Sequence, residues 1–211
     1  MPKRRDLLKN LNAGAAAVAA LTLGGRALAQ TKSTAPFQPA RHAQDDWMDQ
    51  ISGKHRLIFD TVSNDAMGEA LLFANNFLTA NRNTYGLQNS DLAVIIVARH
   101  LSTGLGFNDA IWAKYGAEIA GLSKIAPAPQ TNPHNAGAFG IEALAKQGIH
   151  FAVCAMATER VANTIARAKG VAAAAITEEL TANLIPNARM VPAGIVAVSR
   201  AQERGYTLVT A

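Results

Sequence analysis

One cysteine in 211 residues excludes an internal disulfide and a thiolate-rich metal site. Aromatic residues are scarce at 6%, and no basic stripe interleaves with them, which removes the usual footprint of a nucleic-acid binder. There is no Gly-rich phosphate loop, no Gly-x-Ser-x-Gly elbow and no paired acidic motif. Nucleotide binding and serine-type hydrolysis therefore lack their anchors. The five histidines, His42, His55, His100, His134 and His150, show no metal-ligand spacing, so no metal or other cofactor is expected.

A long apolar run is also missing. The longest candidate, about Leu11 to Leu23, has ~13 residues against the ~20 a bilayer span needs. Its setting gives it another meaning. Lys3-Arg4-Arg5-Asp6-Leu7-Leu8-Lys9 precedes it, and Gly24-Gly25-Arg26 with Ala27-Leu28-Ala29 follows. Paired Arg, a short apolar region and a small-x-small triplet describe a bacterial twin-arginine signal peptide over residues 1–29. Arg26 beside the cleavage triplet and the weak apolar region favour that route over general secretion. The mature product is expected to start near Gln30, in the periplasm, with no membrane association once the leader is gone. Five of the 20 Lys and Arg lie in the leader and one of the 15 Asp and Glu, so the formal charge of +5 falls to about +1 in the mature chain.

Residues 30–53 read as a flexible tail with a short amphipathic piece, Asp45 to Ile51. That piece is expected to dock on the domain, because a free Trp47-Met48-Ile51 patch would be costly in water. From residue 54 onward, strand and helix signals alternate. Strands are expected at 55–62, 92–98, 151–157, 189–191 and 206–210. The second, Leu-Ala-Val-Ile-Ile-Val-Ala, is the continuous apolar run of a strand covered on both faces. Helices are expected after Ser63 or Asn64, from Asn108 to Tyr115 with a stop at Gly116, over 141–147, from a Thr158 cap to Gly170, over 177–184 and over 193–204. Residues 121–140, with Pro127, Pro129 and Pro133, read as a long loop. This alternation specifies a three-layer α/β/α fold with a five-stranded, mainly parallel sheet.

In such a sheet, chemistry gathers beyond the carboxyl ends of the strands. Asp60-Thr61, His100, the stretch from Cys154 to Thr158, and Pro192-Ala193-Gly194 are expected there. Cys154 has two readings. It is a small packing residue within Ala-Val-Cys-Ala-Met-Ala, or a nucleophile kept for its reactivity. His100 is the candidate partner that orients or polarises it. Asn132-Pro133-His134 is either a turn with an exposed imidazole or a lid that brings His134 to the thiol. His150 lies four residues before Cys154 in an extended segment, ~13 Å away, too far for shared chelation.

Several segments together resemble the DsrE/DsrF-like family of sulfur-relay and sulfur-oxidation proteins. They are Leu57-Ile58-Phe59-Asp60-Thr61, Phe73-Ala74-Asn75-Asn76-Phe77-Leu78, Val94 to His100, Thr131-Asn132-Pro133-His134, Gln147 to Cys154, Val191-Pro192-Ala193-Gly194 and Gly205-Tyr206. Their order, from about residue 54 to the end, carries the likeness. The resemblance implies a DsrE-like domain over 54–211, homo-oligomerisation, and a cysteine that carries a persulfide. Cys154 stands at the position where the family often has one. A sulfur donor or acceptor, either a protein or a small thiol, is the partner so implied. The rival reading is a periplasmic ligand-binding or assembly module without catalysis.

Overall fold

The computed structural model describes residues 36–211; the leader assigned to 1–29 lies outside them. The body of the structure spans Pro39–Ala211. Residues 39–53, expected as part of a tail, therefore belong to the folded unit.

Five strands form one sheet in the order β4-β3-β2-β1-β5: β1 (His55–Thr61), β2 (Leu92–Ala98), β3 (His150–Cys154), β4 (Ala188–Val191) and β5 (Thr207–Thr210). Every neighbouring pair is parallel, so the sheet expected to be mainly parallel is wholly so. All seven residues of β2 are buried. Its side chains divide by the two-residue period of a strand. Val94, Ile96 and Ala98 enter one core, and Ala93, Ile95 and Val97 enter the other.

The first core lies under α2 (Asn64–Tyr85), α3 (Asp109–Ser123), α4 (Ile141–Lys146), α5 (Ala155–Lys169) and α6 (Ala173–Ala182). The second lies under α1 (Trp47–Gln50) and α7 (Gly194–Gln202). The result is a three-layer α/β/α fold.

Local chemistry accounts for most boundaries. The Ser63 side chain accepts the Ala66 N–H at 3.1 Å and starts α2, and Gly86 ends it in the left-handed conformation. The α2 side chains Met67, Ala70, Leu71, Ala74 and Leu78 share the buried face. Two expectations need amendment. The helix from Asp109 does break at residue 115, where Tyr115 is non-helical, but helix resumes at once and runs to Ser123. A Cβ at Gly116 would meet the Pro129 carbonyl oxygen at 2.6 Å, so this glycine serves close approach of the loop, not termination. The third strand ends at Cys154 instead of residue 157, and Thr158 is a buried residue inside α5 instead of its cap. Ala155-Met156-Ala157 are strong helix formers with no β-branched residue among them, so the helix claims them. Likewise α6 begins at Ala173, four residues early, on an Ala run.

The amphipathic piece near the amino end lies on the second core. Trp47, Met48 and Ile51 are buried. The Tyr206 hydroxyl donates to the Met48 carbonyl at 2.7 Å. Burial pushes the Tyr206 phenol up to about 12, so it remains a donor throughout the neutral range. Arg204, whose side chain is fully covered, donates to Asp49 at 3.2 Å and lies 3.6 Å from Asp46. Replacing Tyr206 by Phe removes the shorter of two hydrogen bonds to the Met48 carbonyl and leaves that from Arg56 Nη1 at 3.3 Å. We expect a loss of about 1 kcal/mol in urea unfolding, with unchanged secondary structure by circular dichroism.

Candidate functional site

The helices after β3 and β4 leave on opposite faces of the sheet. Chain after β3 enters α5 in the first layer, and chain after β4 enters α7 in the other. Because β3 and β4 are neighbours, their diverging carboxyl ends open a crevice between them. Open α/β sheets bind ligands in crevices outside the carboxyl ends of their strands. A cleft of about 240 Å³ occupies it, lined by Arg99, His100, Cys154, Met156, Ala157, Arg160, Ala193, Gly194 and Ile195.

Cys154 closes β3 and is the residue from which the 15-residue α5 starts. It is 7% exposed, and that small exposure is at the cleft. Helix N–H groups of the first turn have no carbonyl partner within the helix. No side chain caps the start of α5, and none caps the start of α7 at Ala193. Two positive helix ends thus meet the same cleft.

Arg99 follows directly on β2. Its guanidinium forms a fork with Asp60 of β1, Nε to Oδ1 at 2.6 Å and Nη2 to Oδ2 at 2.7 Å. That hydrogen bonding raises the Arg99 pKa; partial burial opposes it, while the charges of Asp60 and Cys154 add to it. Its stem packs on Gly194, where a Cβ would meet the Arg99 Cβ at 2.5 Å. Gly194 therefore lets α7 start against the Arg99 stem. The turn itself is tied down. The Ser102 hydroxyl accepts the Arg99 N–H at 3.0 Å, and the buried Thr61 hydroxyl donates to the Val97 carbonyl at 2.7 Å.

His100 lies on the cleft with Cys154, in a left-handed conformation (φ 57°) that few residues other than glycine adopt. Its carbonyl accepts Arg160 Nη2 at 3.0 Å, which holds a second guanidinium at the mouth. The structure does not bring His134 to this cleft. Its Nε2 lies 3.0 Å from Asn64 Oδ1, and it lines a separate depression with Gly68, Leu71 and Phe139. The reason lies two residues earlier. Buried Asn132 donates to the Leu105 and Phe107 carbonyls at 2.7 and 2.9 Å, and its own N–H donates to Asp109 at 2.9 Å. The loop, read as either a turn or a lid, is pinned by these bonds away from the thiol. His150 sits at the amino end of β3, in a groove with Trp47 and Arg189. Among the described residues, no three His, Cys, Asp or Glu side chains converge as metal ligands.

The sequence reading passed over Arg99 and Arg160. A cation directly after a seven-residue apolar strand was the available signal for Arg99, with Asp60 as the acid at the matching end of the preceding strand. Arg160 had no such signal, because its position depends on where α5 begins.

No family model matches the chain, and no curated protein matches it. Among solved structures it is similar to a protein of unknown function from Methanobacterium thermoautotrophicum, with 15% identity, 75% of this chain and all of that chain covered, and a TM-score of 0.41.

Two predictions follow from this geometry. Asp60→Asn should cost about 2 kcal/mol of stability, because it replaces a charged fork with a neutral acceptor; denaturant midpoints check this. Burial lowers the pKa of His134, against the opposing pull of Asn64 and Asp65. The unfolded imidazole, near 6.5, then binds its proton more readily than the folded one, so stability falls as pH drops through that value. Burial lowers the pKa of His150 as well, so the urea midpoint should decrease from about pH 7.5 to about pH 5.5 through both imidazoles, and His134→Gln should reduce the slope in part. An unchanged slope would remove His134 from this account.

Proposed function

We propose that this chain is an exported, DsrE-like protein that accepts sulfane sulfur on Cys154 and passes it to a second protein or small thiol. The observation that carries this reading is the position of Cys154. The only thiol of the chain opens α5 at the crevice beyond the carboxyl ends of β3 and β4, in a cleft that Arg99 and His100 also line. The thiolate is the nucleophilic form of cysteine, and cationic or helix-terminal surroundings favour it. Here Arg99, its guanidinium held by Asp60, lines the same cleft.

In this reading the thiolate attacks the donor's sulfane sulfur, and an S–S bond forms to it. The bond from that sulfur to the rest of the donor breaks, its electron pair leaves on the donor, and Cys154 carries a persulfide. Attack by the acceptor thiolate on the outer sulfur breaks the S–S bond and returns Cys154. His100 lines the path of the incoming group. The twin-arginine leader supports a periplasmic site of action, and homo-oligomerisation follows from the same family resemblance.

Incubation of the mature protein with polysulfide should add the mass of one sulfur atom to the peptide that contains Cys154, and Cys154→Ser should abolish the addition. An unmodified peptide from an intact fold would reject the proposal. A second reading has its own observation, the 7% exposure of the thiol. In it, Cys154 is packing in a non-catalytic binding or assembly module. Thiol titration separates the two. Native-state labelling supports the carrier; labelling only after unfolding supports the module.

A further inference from the structure

The side chains around Cys154 carry information about the donor. Arg99, His100 and Arg160 line the cleft, and no carboxylate does. Asp60 is engaged by both prongs of the Arg99 fork, and Glu159 lines the adjoining depression with Met156 and Arg160. Arg160 uses Nη2 on the His100 carbonyl and is otherwise turned to solvent at the mouth. Cys154, 7% exposed, lines this cleft. Both helix starts that meet there lack a side-chain cap. Met156, Ala157, Ala193 and Ile195 supply the remaining walls, without further charge. At about 240 Å³ the cleft is smaller than the ~300–1,000 Å³ pockets that enclose drug-sized ligands. It suits a small anion.

We propose that the cleft binds a small sulfur oxyanion, a donor of the thiosulfate type, with its –SO3 group toward Arg160 and the helix N–H groups and its outer sulfur toward the Cys154 Sγ. This rests on the reading of Cys154 as a sulfur carrier. Guanidinium groups bind such oxyanions through short, charge-assisted hydrogen bonds, and helix starts add N–H donors. The step balances without an added oxidant or reductant. The thiol first gives its proton to solvent. The thiolate attacks the outer sulfur, and an S–S bond forms to that atom. The bond from the outer sulfur to the –SO3 group breaks, and its electron pair leaves on sulfite. Cys154 keeps the persulfide.

The test separates anion binding from sulfur transfer. Thiosulfate is titrated calorimetrically into Cys154→Ser protein, in which no transfer occurs. Saturable one-to-one binding is expected, weakened about tenfold by Arg160→Gln and largely restored by Arg160→Lys. Absence of saturable binding overturns the proposal. The wild-type protein is then treated with thiosulfate or with polysulfide and its mass measured. Sulfur accepted from both supports the proposal. Sulfur accepted from polysulfide alone overturns the thiosulfate donor and leaves the carrier reading intact. Sulfur accepted from neither, with thiosulfate still bound by Cys154→Ser protein, overturns the carrier reading and the transfer step together and leaves an anion site.

Discussion

The fork between Asp60 and Arg99 is the contact on which the carboxyl edge of this sheet depends. It joins the end of β1 to the first residue beyond β2, across 39 positions of sequence. It is mostly shielded, with the acid side chain 10% and the guanidinium 25% exposed. In such surroundings each charge needs the other, since a lone buried ion is far costlier than the pair. The fork also dictates what stands next to it. A guanidinium stem fixed in that direction leaves room for the start of α7 only if residue 194 has no side chain. Strand ends, cation and helix start are thereby set by one interaction.

The second face of the sheet rests on a different solution. The nine residues of α7 do not cover it alone, and the segment around Trp47 completes the layer. Electrostatics and apolar burial cooperate there. Asp45, Asp46 and Asp49 lie near Arg200, Arg204 and Arg56, while Trp47 and Met48 fill space over Ile58 and Ile95. Arg56 and Arg189 add cation–π contacts to Tyr206 and Trp47. A segment that a reading of composition places with a tail is a structural part of the sheet's covering.

Elements whose signals are local were legible from the sequence. The apolar run of β2, the Ser63 start of α2 and the glycine stops at Gly86 and Gly170 each depend on neighbours in the chain. Elements decided by distant partners were not. Gly116 resembles a helix stop until Pro129 is seen against it. Ala155 to Ala157 extend an apolar strand on paper, yet their propensity is helical, and the strand loses. That displacement mattered most for the site, because it moved Cys154 from the interior of a strand to the threshold of a helix. His100 was placed correctly beside the thiol by the rule of strand ends. His134 was not brought there, because Asn132 finds its acceptors at Leu105 and Phe107.

The sheet's borders have a bearing on assembly. Both outermost strands, β4 and β5, have only four residues, and Pro186 and Pro192 bracket the first of them. So little unpaired ladder gives another chain scant purchase for continuing the sheet. Growth by strand addition is disfavoured at either rim, which turns any association between copies toward helices and loops.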